Sequence, residues 1–238
     1  MVLPDLTNAQ VKKAGRTARQ YLRHEIAWGP EIEGALEVIW RYRATHQYAL
    51  TKATMGLRSM VRTEGCQVEV TQRLKRLSTI LDKLVREPTM QLNTMQDIGG
   101  CRAVLASVDE VRRVERRLKK NRPLLGYRDY IATPRPSGYR GVHVIVGYPD
   151  GSGIERAVEV QLRTRVMHEW AIAVERLSGR VNEDLKSGRG PAEVLALLKA
   201  VSEAMAIEET GAVVPEDHLD AIARLREAAV PYLGRPPR

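Results

Sequence analysis

Phenylalanine is missing altogether from the 238 residues, and tyrosine and tryptophan bring the aromatic share to only 5%. So thin a supply argues against a single-strand binder that stacks successive bases on aromatic platforms. Cysteine is scarcer still. Cys66 and Cys101 stand alone, with no CxxC and no ligand-like histidine spacing, so neither a disulfide framework nor a zinc site is supported, and both read as small core residues. No apolar run reaches the roughly eighteen residues of a membrane span. The opening MVLPDLTNAQVKKAG lacks the apolar stretch that secretion uses, so a cytoplasmic protein is expected. There are no internal repeats and no low-complexity tract.

What is present is charge and a core. Apolar residues make up 43% of the chain, ample for a buried interior, and Lys plus Arg outnumber Asp plus Glu by 38 to 29, a net charge of +9. A positive potential favours polyanions such as nucleotides or RNA, and with aromatics so scarce the theme is phosphate.

The pattern along the chain predicts an α+β fold. Thr7 can cap a helix through about His24, and Pro30 can open another running to Val61. β-Rich runs follow at 67–70, 101–106, 142–148 and 156–164, with helical stretches near 74–86 and 108–121 between them. A mixed β-sheet of about five strands flanked by helices is expected, with 149-PDGSG-153 turning the last two runs into an antiparallel hairpin. Helices return at about 165–186, 191–209 and 215–231. The expected divisions are an N-terminal helical region (1–65), a central domain (66–186) and C-terminal helices (187–238).

Several groupings could carry chemistry. If 73-RLKRLSTILDK-83 is helical throughout, Lys75, Thr79 and Lys83 stack on one face while Leu74, Leu77, Leu81 and Leu84 face the core. That ladder is either a polyphosphate site or an ordinary solvated face. Along 156-RAVEVQLRT-164, alternation sets Glu159, Gln161 and Arg163 opposite Val158, Val160 and Leu162. Asp97 precedes Gly99 and Gly100 at a strand edge, where it is either a turn former or a Mg²⁺ ligand shared with phosphates. The helix carrying Arg112, Arg113, Arg116, Arg117, Lys119 and Lys120, with Arg122 beyond it, could touch an RNA backbone or simply be solvated. In 134-PRPSGYRGVH-143, stiff prolines and two glycines shape a loop around Tyr139, whose ring is either held out for a ligand or folded back on the core. His143 leaves that loop on a strand, and His168 opens the helix after the glutamate strand.

Taken in order, four blocks from about 66 to 178 resemble the synthetase domain of the RelA/SpoT family, ATP-dependent pyrophosphokinases that make alarmones. The blocks are Arg73-x-Lys75 with Thr79 and Lys83; 97-DIGGCR-102; 129-DYIATPRPSGYRGVH-143; and 159-EVQLRTRVMHEW-170. The resemblance implies a role for each residue. Arg73 and Arg102 sandwich the ATP adenine, and Lys75, Thr79 and Lys83 hold its phosphates. Asp97 binds Mg²⁺. Tyr139 stacks on the acceptor base, with Arg135 and His143 placing the acceptor. Glu159 is general base or second metal contact, supported by Gln161, Arg163 and His168. An acceptor ribose 3′-hydroxyl then attacks the β-phosphorus of ATP and AMP leaves. Thr79, Arg135 and Gly141 stand where the family commonly has Ser, Lys and Ser, and Gly141 is expected to loosen the tyrosine loop. At 126-GYRD-129 long members carry RxKD or ExDD, so that rule does not fix the acceptor here.

There is no HD pair of the family's hydrolase domain and no length for regulatory domains, so a small synthetase-only member is expected. The stretches 40-WRYRATHQYAL-50 and 73-RLKRLSTILDKLVRE-87 resemble the toxic type found in toxin–antitoxin and phage-defence systems. That type implies pyrophosphorylation of the 3′-terminal adenosine of tRNA and an antitoxin, either a protein or a hydrolase. The alternative acceptors are GDP or GTP, giving (p)ppGpp, or an adenosine nucleotide. A third possibility, a non-catalytic RNA-binding module, is opposed by the presence of Asp97, Tyr139 and Glu159. Oligomeric state stays open.

Overall fold

The computed structural model describes residues 6–233, so the outermost parts of the expected N- and C-terminal regions, 1–5 and 234–238, lie outside the described residues. Thr7 caps α1 (Asn8–Leu22) through a reciprocal capping box with Gln10. Pro30 occupies the first turn of α2 (Pro30–Thr63), where its missing N–H costs nothing, and Glu31 and Glu33 favour the positive end of the helix dipole. Buried residues recur along α2 at helical spacing: Ile32, Ala35, Ile39, Tyr42, His46, Ala49, Ala53, Leu57 and Met60. The first of these join α1 and α3 (Leu77–Arg86) in one apolar cluster, and the later ones lie on the sheet in another.

Among the described residues there is one five-stranded mixed sheet, in the order β1-β2-β5-β4-β3. Its strands are β1 (Val70–Leu74), β2 (Gly99–Leu105), β3 (Leu124–Asp129), β4 (Val142–Pro149) and β5 (Glu155–Thr164). The pair β2 and β5 is parallel and the other neighbours are antiparallel. Val142, Val144, Val146, Val158, Val160 and Leu162 fill the face covered by α2 and α4 (Val108–Asn121), while Glu159 and Gln161 point the other way. The β4–β5 hairpin forms as expected, its turn held by Asp150, whose carboxylate accepts the N–H groups of Ser152 and Ile154. On the C-terminal side, α5 (Arg165–Val181), a 3₁₀ turn (Leu185–Ser187), α6 (Ala192–Glu208) and α7 (Glu216–Leu233) build a third cluster around Trp170 and Val174.

Three departures have physical causes. The strand expected at 67–70 is displaced to Val70–Leu74, leaving 67–69 outside it, because residues 70–74 form an antiparallel ladder with β2 in which Arg73 faces Gly100. Lys75 then donates its backbone N–H to Ile98, so the helix opens only at Leu77, and Leu74 and Lys75 stand outside it. The edge strand β3 lacks clean alternation: Leu124 and Leu125 are exposed, and the register slips between Leu124 and Gly126. The helix expected to reach 186 stops at Val181, because Asn182 takes a left-handed conformation (φ 56°).

Candidate active site

The polar face of β5 carries a directional hydrogen-bond chain. Arg163 donates Nη2–H to Gln161 Oε1 (2.7 Å), and Gln161 donates Nε2–H to Glu159 Oε2 (2.5 Å). From β4, His143 Nδ1 meets Glu159 Oε1 at 2.8 Å, and His143 Nε2 meets the Tyr139 hydroxyl at 2.5 Å. An ionised carboxylate can only accept, so His143 carries its proton on Nδ1 and Tyr139 donates to Nε2. Burial would raise the Glu159 carboxyl, but the bonds from His143 and Gln161 and the nearby Lys75 charge prevail and hold it below the usual carboxylate range. Burial holds His143 below its ordinary range despite the opposing pull of Glu159, so the imidazole is neutral.

Beside this hydrogen-bond chain stands Asp97, just before β2, facing residues from the end of β1 and from α3. Its Oδ2 accepts from Lys75 Nζ (2.9 Å) and Lys83 Nζ (3.0 Å). Burial favours its protonated form, yet the two ammonium groups hold its pKa below the usual carboxylate range. Asp97 Oδ1 is buried without a partner. The ladder expected from a single helix is thus built differently: Lys75 arrives from the strand exit and Lys83 from α3, converging on one carboxylate, while Thr79 stays exposed on α3.

A second set of cations gathers at the mouth of the sheet. Burial lowers the Arg102 pKa, as do the neighbouring Arg163 and Arg73 charges, and Arg102 Nε has no partner. His168 is lowered by burial and then by Arg102 and Arg163, and its Nδ1 is unpartnered. Arg163 is fully buried, with Nε and Nη1 unpaired.

Tyr139 is not held out. Its ring is 0% exposed, packed edge-on to Tyr130 and His143, with the Arg163 guanidinium 5.0 Å from its centroid and that of Arg135 5.5 Å away. The cover comes from α6, remote in sequence. Ser202 Oγ–H donates to the Gly138 carbonyl (2.6 Å), Arg140 pairs with Glu209 (2.5 Å), and Thr164 also bonds Glu209. Gly138 takes φ +87°, and a Cβ there would meet Lys199 Cα and Ser202 Cβ at 2.9 Å. Gly141 does not loosen the loop either. At φ +150° it brings the backbone so close to Arg163 and the Tyr139 hydroxyl that a Cβ would sit 3.2 and 3.3 Å from them.

The basic helix α4 is largely neutralised. Arg112 binds Asp129 (2.7 Å) and Glu115 (2.8 Å), Arg117 binds Glu64 (2.8 Å), and Lys119 binds Glu115 (2.5 Å). Arg113 reaches Glu110 (3.8 Å), and Arg122 lies over the Tyr148 ring. Arg116 and Lys120 are exposed with no partner among the described residues. Sequence reasoning also passed over two residues at the site. Glu175 stands two turns after His168 on α5, a spacing that could have flagged it, whereas Lys186 lies past the left-handed break at Asn182, where no pattern points to it.

With this geometry in view, the comparisons are specific. Residues 72–176 match the model described as a region found in RelA / SpoT proteins. The small alarmone synthetase 1 of Bacillus subtilis is 30% identical, superimposes with a TM-score of 0.58, and is matched over 97% of its length and 79% of this chain. The chain therefore belongs to the RelA/SpoT family. The same synthetase bound to its product pppGpp gives 29% identity, a TM-score of 0.60, and coverage of 96% of that chain and 79% of this one. GTP pyrophosphokinase YjbM of Bacillus subtilis is 37% identical over 142 residues, 57% of this chain and 65% of the relative. The chain thus spans just under two thirds of that curated relative's length. Among the described residues no helix is long and apolar enough to cross a membrane.

Proposed function

We propose that the protein is an ATP-dependent pyrophosphokinase that transfers the β,γ-pyrophosphate of ATP to a ribose 3′-hydroxyl and releases AMP. The observation that carries this reading is the pairing of two carboxylates in contrasting settings. Asp97 is gripped by Lys75 and Lys83 with one oxygen left free, and Glu159 is held ionised by His143 and Gln161. The free oxygen of Asp97, beside two ammonium groups suited to phosphates, fits Mg²⁺, which takes few protein oxygens and shares the rest with its substrate. Mg²⁺ bound there would neutralise charge developing on the transferred group.

The residues of the chain supply the rest. Lys75, Lys83 and the exposed Thr79 orient the donor phosphates, and Arg73 and Arg102 flank its base. Glu159 faces the acceptor hydroxyl. Both of its oxygens are occupied in the described arrangement, so the hydroxyl takes Glu159 by displacing the bond from Gln161 or His143. Tyr139 must likewise leave the His143 ring to stack on a base. As the new O–P bond forms, the hydroxyl proton passes to Glu159, and the bridging P–O bond to AMP breaks with its electron pair.

For the acceptor, a guanosine nucleotide is favoured by the names of the relatives and by the neutralisation of α4. The 3′-terminal adenosine of tRNA, with a toxic role and an antitoxin, is the second reading. It is supported by a groove of about 270 Å³ between α1 and residues 90–92, where Lys12, Lys13 and Arg16 have no carboxylate partner among the described residues. The test supplies labelled ATP with GDP, GTP or bulk tRNA. Labelled tetra- or pentaphosphate supports the first acceptor, and label on tRNA alone supports the second. No AMP release with any acceptor would refute the pyrophosphokinase reading.

A further inference from the structure

The 3₁₀ turn Leu185–Ser187 lies beyond the stretch that matches the family model, which ends at residue 176, yet it delivers a cation to the site. Lys186 Nζ donates to Glu175 Oε1 at 2.8 Å and stands 5.0 Å from the centroid of the Tyr139 ring. Its backbone is fixed on both sides. Ser137 Oγ–H donates to the Lys186 carbonyl at 2.9 Å, tying the turn to the tyrosine loop. Asp184 caps the turn by accepting from Ser187, and is itself held at 2.8 Å by Arg86 of α3 and at 2.8 Å by Arg189. Leu185 anchors the turn in the third core cluster.

The charge around this ammonium is unbalanced. Arg163 and Arg73 add positive potential, and Glu175 is the one carboxylate bonded to Lys186 among the described residues. Arg163 Nε and Nη1 are buried without acceptors. Unpartnered guanidinium donors beside a lysine suit the oxygens of a phosphate. Position assigns which phosphate. The Lys75, Lys83 and Asp97 cluster lies on the β1 and α3 side, whereas Lys186 faces the Tyr139 ring and is bonded through its carbonyl to the loop that carries that ring.

We propose that Lys186 is a further substrate-binding residue, one that takes the 5′-phosphate of the acceptor nucleotide while Glu175 holds the ammonium in place until the acceptor arrives. This rests on the pyrophosphokinase reading above. Lysine suits the role, being a compact point charge on a flexible stem that can follow one, two or three phosphates. The acceptor is therefore read at two ends: its base at Tyr139 and its 5′-phosphate at Lys186.

The experiment compares wild type, Lys186→Ala and Lys186→Arg as full chains, varying GTP, GDP and guanosine at fixed ATP, then ATP at fixed GTP. Calorimetric binding of the same three acceptors is measured in parallel. Loss of a charge-assisted contact to phosphate should raise the KM for GTP and GDP about tenfold or more in Lys186→Ala. The KM for ATP and the binding of guanosine should stay unchanged, and Lys186→Arg should recover most of the loss. An unchanged acceptor KM, or a change that falls on ATP instead, overturns the proposal. So does a loss that Lys186→Arg fails to recover in a protein that melts like wild type. If tRNA is the acceptor, the same split appears with tRNA varied, since its terminal nucleoside carries a 5′ phosphodiester. Should wild type release no AMP with any acceptor, the reaction assigned above falls. The calorimetric comparison still decides Lys186, and an absence of nucleotide binding by wild type ends both.

Discussion

Replacing Glu159 with glutamine preserves the shape of the side chain and removes its charge. Each carboxylate oxygen accepts one donor in the native site, from His143 at 2.8 Å and from Gln161 at 2.5 Å. An amide has a single acceptor oxygen, so its NH₂ group must face one of those donors, at a cost of about 1–3 kcal/mol. For a chain of this size each kcal/mol lowers Tm by about 2–4 °C, so Glu159→Gln should melt about 2–12 °C lower and remain folded at 25 °C. The effect on turnover is larger. Loss of a positioned proton acceptor should cut kcat by about 10²–10⁴, or about 3–5 kcal/mol in the barrier at about 1.36 kcal/mol per tenfold. AMP release from labelled ATP in the presence of GTP or GDP measures the rate, and calorimetry of the same sample confirms the fold. A folded variant that turns over within about threefold of wild type would remove Glu159 from the reaction.

Four further outcomes follow from the geometry. Burial in α2 outweighs the hydrogen bond to the Tyr42 carbonyl and holds His46 at about 4 against an ordinary 6.5. The folded state therefore keeps it neutral while the unfolded chain protonates; stability is full above 6.5 and declines as pH falls toward 4, by about 2 kcal/mol at pH 5. Melts at pH 7 and pH 5 should differ in wild type and converge in His46→Gln; equal differences in both would sink the assignment. Asp97→Asn should raise the Mg²⁺ concentration needed for half-maximal activity, and an unaltered Mg²⁺ titration would exclude Asp97 as the ligand. Gly138→Ala places a Cβ against Lys199 and Ser202 at a left-handed φ, which should cost about 2–4 kcal/mol and show as a lower Tm. Arg112→Ala frees Asp129 and Glu115, so it should destabilise by about 1–3 kcal/mol and leave RNA affinity unchanged; weaker RNA binding at an unchanged Tm would restore α4 as an RNA contact.

The legible parts of this fold are those where neighbouring residues in sequence also decide the structure. The row Glu159, Gln161, Arg163 was readable because a strand half buried on one face must alternate, and Thr7 and Pro30 marked their helix starts by local hydrogen bonding. Lys75 was misplaced because an 11-residue window with helical spacing gave no hint that β2 would draw residues 70–74 into its ladder. Of the two readings of the Tyr139 ring, the buried one holds, and local sequence could not decide between them because the helix that covers it begins at Ala192. The basic stripe of α4 looked freer than it is: its pairs with Glu110 and Glu115 lie at helical spacing within α4 and could have been read, whereas Glu64 and Asp129 come from other elements. Lys186 carries no motif, and only the turn capped by Asp184 brings it to the loop.

The long helix α2 bears on how the chain can be divided. At about 1.5 Å per residue its 34 residues form a rod of about 50 Å, with Ile32 and Ile39 in the α1 and α3 cluster and Ala53 and Leu57 under the sheet. The stretch that matches the family model begins at residue 72, after this rod has ended. A fragment cut at that point would keep every residue proposed for chemistry and lose the wall on which Val146 and Val158 pack. The smallest piece able to stand alone is therefore longer than the recognisable one, and an expression boundary belongs before Thr7, where the first helix is capped.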